Sequence, residues 1–248
     1  MCSSDLGKFV HDHPGKHLGD FLPATIQGWL DGLRKEDGKP VSGQTRRNFQ
    51  TVISGFFQHS RKRGLIIDNP CADLERETVK KAGDVEFWTA SEAAKLLEAA
   101  PAELIPALAL SLFAGLRTSE VCRLTWSDIS LEAGQITVAS KKAKTASRRL
   151  VPVSDNLRQW LLPHRKEGSV SVWSQCADNF PKGVSEACER AGVRRVGNGA
   201  RHSFITARVA LTGDVARVSL EAGNSPSTIH QHYRGLCSRE DEIGRAHV

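Results

Sequence analysis

Apolar residues in the first third of the chain recur every three or four positions, the spacing of an amphipathic helix. Ile26, Trp29, Leu30 and Leu33 form one such stripe, with Pro23 placed for its first turn, and Gly38 and Pro40 break it. A second stripe, Phe49, Val52, Ile53, Phe56 and Phe57, follows Ser42, a good N-cap residue, and runs to Gly64. Asn69-Pro70 marks a turn, and the polar stretch 75–86 (ERETVKKAGDVE) predicts a linker with a domain boundary near residue 82. Beyond it, Thr89 and Glu92 have the spacing of a capping box. Helices are predicted at about 90–100, 102–114 and 118–125. Period-2 alternation over 135–139 and 148–153, separated by the polar KKAKTAS, predicts a β-hairpin. Helices are expected again near 155–162, 178–191, 199–212, 214–222 and 226–235. Gly213 and Gly223 divide the last three, and Ser225-Pro226 starts the final one. The fold class expected is mostly α with a small β-hairpin, in two domains.

Charge adds a hint about the partner. The formal net charge of +6 suits a polyanion without identifying one. Arg46, Arg47, Arg61, Lys62 and Arg63 share the polar face of the second predicted helix. That face is either simply solvated or a phosphate-contacting surface, and Arg46 and Arg47 are its DNA-contact candidates. The six cysteines have irregular spacings and no Cys-x-x-Cys pair, which argues against a disulfide framework or a zinc cluster and for reduced thiols in a cytoplasmic protein. No apolar run is long enough to span a membrane, and no secretory signal is visible. His11, His13 and His17 lack the partners of a metal site, so no metal is expected. Residues 1–6 and 242–248 (EIGRAHV) resemble translated sequencing-adapter DNA, so the native chain is expected to run from near Gly7 to near Asp241.

Four segments carry candidate chemistry. In Gly115-Leu116-Arg117-Thr118-Ser119-Glu120, an arginine at a helix start has a carboxylate three residues on to hold it. In the hairpin, Lys141, Lys142, Lys144, Arg148 and Arg149 crowd nine residues, a charge density suited to a phosphate backbone or to a solvated turn. The third segment is Asn198-Gly199-Ala200-Arg201-His202-Ser203-Phe204. The fourth is Ala222-Gly223-Asn224-Ser225-Pro226, followed by Tyr233, the only tyrosine in the chain. No Walker motif or acidic metal cluster accompanies them.

In this order the four segments resemble the signature of the tyrosine recombinase, or phage integrase, family, and the resemblance runs from about residue 18 to 236. It implies an N-terminal helical core-binding (SAM-like) domain over 7–82 and an α+β catalytic domain over 83–241, each clamping one side of double-stranded DNA. It implies strand cleavage and rejoining through a 3′-phosphotyrosine link, with no ATP and no cofactor. Arg117 and Arg201 match the two arginines that bind the scissile phosphate. Lys144, eight residues before Pro152, matches the lysine that protonates the departing 5′ oxygen, with Lys141 or Lys142 as alternatives in the uncertain loop register. Lys141, Lys142 and Arg148 are further DNA contacts, and Tyr233 matches the nucleophile.

The sequence departs from the family at two positions. Asn198 stands where histidine is usual, and Asn224 where histidine or tryptophan is usual. Asparagine donates a hydrogen bond to a phosphate oxygen but exchanges no proton near neutral pH. His202, His230 and His232 are nearby substitutes, each with a plain structural reading. The resemblance also implies a tetramer on two duplexes. With almost nothing native after Tyr233, weak or no recombination is expected of this chain, even with cleavage chemistry intact. The alternatives are a catalytically inactive recombinase-derived DNA-binding module and a helix-turn-helix regulator built on 43–63 and 198–222. The regulator reading explains the basic charge but not the ordered Arg, Lys, Arg and Tyr.

Overall fold

The computed structural model describes residues 3–75, 85–139 and 148–232. The chain divides into two compact units, Met1–Ala82 and Gly83–Val248.

The first unit is helical: α1 (Ser3–His11), α2 (Pro23–Gly32) and α3 (Gly43–Lys62). Pro23 takes the first turn of α2, and the Ser42 hydroxyl accepts from the Thr45 N–H to cap α3. Both stripes face one core. Phe9, Ile26, Leu30, Leu33, Phe49, Ile53 and Phe57 are buried together. Phe9 sets its ring edge-on to Trp29 at 5.0 Å, a favoured aromatic geometry. The helix α1 continues across residue 7, where the sequence reading begins the domain, because Leu6 and Phe9 both pack against this core. His13 belongs to the same packing: its ring lies 4.7 Å from that of Phe9, and its Nδ1 is 2.8 Å from the Phe9 carbonyl oxygen.

The second unit begins with α4 (Ala90–Ala99), capped reciprocally by Thr89 and Glu92. Next comes α5 (Ile105–Phe113), whose residues from Pro106 to Phe113 are all buried, as expected for a helix apolar on every side. It is the central post of the domain, against which α7 (Asp155–Leu161) and α9 (Gly199–Thr212) pack. The predicted helix at 118–125 is a single turn, α6 (Thr118–Val121). It stops because the following backbone pairs elsewhere: the Trp126 N–H donates to the Val170 carbonyl, and the Val172 N–H to that of Leu124.

The sheet has three antiparallel strands in the order β1 (Ile129–Ser130), β2 (Gln135–Ala139) and β3 (Arg148–Pro152). Ile136 pairs with Val151, both buried, and Val138 with Arg149. After α8 (Asn179–Ala191), the last three helices are α9, α10 (Val215–Ala222) and α11 (Pro226–His232). They enclose a small core of Phe204, Ile205, Val218, Ala222 and Ile229. Gly213 and Gly223 end α9 and α10 in the left-handed conformation open to glycine. Among the described residues no helix is long and apolar enough to cross a membrane.

Candidate active site

Three helix ends meet in the second unit. The chain leaves α5 through Ala114, Gly115 and Leu116, with Gly115 at φ +62. A Cβ on Gly115 would lie 2.3 Å from Phe204 Cδ1, so only glycine lets this turn lie against α9. The turn delivers Arg117 to the N-cap of α6, where the Glu120 carboxylate accepts from the Arg117 backbone N–H at 2.8 Å and from its Nη1 at 3.2 Å. This is the hold that the three-residue spacing predicts.

Arg201, in the first turn of α9, projects toward the same place. Its Nη1 donates to the Gly115 carbonyl, and its Nη2 to the Ala222 carbonyl at 2.6 Å. The turn after α10 adds Asn224. Asn224 Oδ1 accepts from Arg201 Nη2 at 2.6 Å and from Arg117 Nη2 at 2.9 Å. Arg117 Nη2 also donates to the Gly223 carbonyl at 2.5 Å. Two arginines thus converge on one oxygen atom of Asn224, which lies 107 positions from Arg117 and 23 from Arg201.

The electrostatics leave positive charge on offer. The Arg117 side chain is 42% exposed, whereas that of Glu120 is 9% exposed. Burial pushes the Glu120 carboxyl up, but hydrogen bonds from Arg149 and from the Arg117 backbone, with the attraction of both guanidiniums, outweigh it and hold the pKa at about 2. Glu120 is therefore a fixed anion at neutral pH, and two arginines share it. A second carboxylate, Glu221, accepts two hydrogen bonds from Arg208, at 2.9 and 2.8 Å, and one from Arg217 at 3.0 Å. Burial raises its pKa, but the same two arginines lower it by more.

Asn198 is the N-cap of α9 and the single described non-glycine residue with positive φ, at +55. Asparagine suits that left-handed backbone. Its side chain is exposed and makes no hydrogen bond among the described residues. The structure therefore brings together Arg117, Arg201 and Asn224 and leaves Asn198 one helical turn ahead of Arg201. Arg148 is exposed on β3. Arg46 is half-buried and Arg47 exposed on α3 of the first unit. Lys141, Lys142, Lys144 and Tyr233 lie outside the described residues. Among the described residues no group of three or more His, Cys, Asp or Glu could hold a metal ion. Sequence reasoning missed the bridging role of Arg149, whose only signal was its place in a basic cluster.

The sequence pattern described as the Phage integrase family matches residues 86–234, well over half of the chain. The chain belongs to the phage integrase family. Relatives of the chain are tyrosine recombinases. Tyrosine recombinase XerC of Xanthomonas campestris pv. campestris (strain B100) is 27% identical over 252 residues, covering 86% of this chain and 76% of the relative. Tyrosine recombinase XerC of Xylella fastidiosa (strain M23) is 27% identical over 258 residues, covering 94% and 83%. The integrase fold is shared with lambda integrase(75-356) in a structure described as a dimer bound to a COC′ core site. There the TM-score is 0.72 at 18% identity, covering 95% of this chain and 88% of that one. XerH recombinase, described as bound to its difH substrate, gives a TM-score of 0.63 at 20% identity, covering 87% and 68%.

Proposed function

We propose that this integrase binds double-stranded DNA and exchanges strands at the paired arginines of its second unit. The observation that carries the reading is the convergence of Arg117 and Arg201 on a single oxygen, Asn224 Oδ1. Two guanidiniums aimed at one acceptor form a ready cradle for a phosphodiester, whose nonbridging oxygens gain negative charge as the phosphorus is attacked. Tyr233, which follows α11 in the sequence, attacks phosphorus through its hydroxyl oxygen and releases the hydroxyl proton to solvent. The bond from phosphorus to the 5′ oxygen breaks, and the 3′ end is kept as a phosphotyrosine ester. Lys144, or Lys141 or Lys142 nearby in the sequence, gives its proton to the departing 5′ oxygen. Attack by the 5′ hydroxyl of another strand reverses these steps and releases the tyrosine, so the bond energy is conserved. Asn198 and Asn224 serve as hydrogen-bonding groups to the phosphate rather than as proton carriers.

The first unit, 7–82, serves as the core-binding domain, with Arg46 and Arg47 contacting backbone phosphates. Arg148 makes the corresponding contact from β3. The full-length protein assembles as a tetramer on two duplexes and works in the cytoplasm. A lambda integrase structure described as bound to DNA and a XerH structure described as bound to difH substrate support the partner by likeness.

The test is covalent trapping. The protein is incubated with nicked DNA carrying the attachment sequence from the flanks of its gene and run on a denaturing gel beside Tyr233→Phe. An adduct lost in the variant is the expected result. Salt-sensitive DNA binding with no adduct, in this chain and in a longer one, would establish the inactive DNA-binding module instead.

A further inference from the structure

Arg149 has no part in the reaction outlined above, yet it makes closer contacts with the Glu120 carboxylate than the Arg117 side chain does. Its Nη1 donates to Glu120 Oε1 at 2.8 Å and its Nη2 to Oε2 at 2.9 Å, a two-pronged pair. Arg117 reaches the same carboxylate with one side-chain nitrogen at 3.2 Å. Arg149 is in turn fixed from behind: its Nε donates to the Glu221 carbonyl at 3.2 Å, and its backbone is paired with Val138 in the sheet. The contact also explains why glycine follows α10. A Cβ on Gly223 would lie 3.0 Å from Arg149 Nη1 and 3.1 Å from its Cζ.

We infer that Arg149 is a positioning residue, which locks Glu120 and so sets both the place of Arg117 and the net charge of the cluster around it. The geometric half of the inference is direct. Glu120 accepts two bonds from Arg149 and two from Arg117, so neither oxygen is left to turn. With its carboxylate pinned, Glu120 holds the Arg117 guanidinium by one nitrogen and leaves Arg117 Nη2 aimed at Asn224. The electrostatic half follows from sharing. A carboxylate paired with Arg117 alone would close on that guanidinium with both oxygens and cancel its charge. Divided between two arginines, it leaves the cluster with an excess positive charge facing the phosphate.

This inference rests on the catalytic reading of Arg117, so its test needs a readout that survives without turnover. The first measurement is the rate of adduct formation on nicked DNA at saturating protein. The second is the NMR signal of the Arg117 Nε–H. For Arg149→Gln the expected result is a rate lower by about 10- to 100-fold, the scale set by small misplacements of a reacting group, with the Arg117 signal displaced. Arg149→Lys, which restores charge but not the fork, should recover part of the rate. Adding Glu120→Gln to Arg149→Gln should cost no more than about twofold further, since the two act as one unit. Should Arg149→Gln not fold by circular dichroism, Gly223→Ala displaces the same guanidinium, and the same two readouts apply. A wild-type rate in Arg149→Gln with an unmoved Arg117 signal would overturn the inference, as would full additivity with Glu120→Gln. If neither the wild-type chain nor a longer one forms adduct, the catalytic reading fails on its own, and the Arg117 signal alone decides whether Arg149 positions it.

Discussion

Arg117 and Arg201, 84 positions apart in the sequence, donate to the same amide oxygen of Asn224, at 2.9 and 2.6 Å. That oxygen is neutral. It holds the two guanidiniums at a common point without cancelling their charge, and an incoming phosphate oxygen can replace it. Asn224→Asp puts a full negative charge at the same point. The variant should be thermally more stable, because two cations gain an anion, and should form adduct about 100- to 1,000-fold more slowly, the scale of losing one preorganised charge-stabilising contact. Melting temperature and the trapping rate check the two signs separately.

Asn198→His tests whether proton transfer limits the reaction. Histidine tolerates positive φ better than most residues, so the cap of α9 should survive. Adduct formation should rise by about tenfold or more at neutral pH, and its pH profile should gain an inflection near 6.5, the ordinary histidine value. An unchanged rate would mean that the lysine between β2 and β3 in the sequence supplies the proton unaided.

Acid should weaken the second unit through Glu120. Its pKa is about 2 in the folded chain against an ordinary value of 4.5. A depressed carboxyl pKa means that the unfolded state binds the extra proton first as pH falls. The stabilisation is thus complete above about pH 4.5 and lost progressively toward about pH 2. With Arg117 partly open to solvent, its size should be about 2 kcal/mol. Urea midpoints at pH 6 and pH 3 measure it, and Glu120→Gln should flatten the difference between them.

Gly115→Ala should destabilise the domain by about 2–4 kcal/mol, combining a left-handed backbone with a steric clash in the core. The added Cβ would lie 2.3 Å from Phe204 Cδ1, so the α5–α6 turn and α9 must separate. Both arginines hang on that junction, so the variant should lose adduct formation even below its melting temperature. Chemical denaturation and the trapping gel together distinguish this from a purely thermal defect.

Glu221→Gln removes the anion that holds Arg208 and Arg217 on α9 and α10. The expected loss is about 1–3 kcal/mol, less than for a fully buried pair because Arg217 is 60% exposed. Denaturant unfolding gives the value directly.

Local signals announced most of these elements. The stripes of α2 and α3, the Thr89–Glu92 cap and the glycines after α9 and α10 each report a short-range physical requirement, and each element stands where its signal lies. The misses have a common cause. A two-residue strand such as β1 has no periodicity to read, and α6 stops after Val121 because its backbone continuation pairs with residues near 171. The site divides in the same way. Arg117 and Glu120 are neighbours on one turn and could be paired from spacing alone. The bridge from Glu120 to Arg149 spans 29 positions, and that from Arg149 to the Glu221 carbonyl spans 72. Such pairs exist only once the sheet has docked, so no local pattern encodes them.

The backbone carbonyls that accept from Arg117 and Arg201 belong to Gly115, Ala222 and Gly223, at the carboxyl ends of α5 and α10. Aligned peptide dipoles leave about half a negative elementary charge at such an end. Two cations are thus moored by fractional counter-charges that the main chain supplies whatever side chains surround it. Such a mooring is strong enough to stop the guanidiniums from repelling each other apart, and it is too weak to satisfy them. The polypeptide itself keeps the centre hungry for an anion, and exchanging surface residues around it leaves that appetite intact.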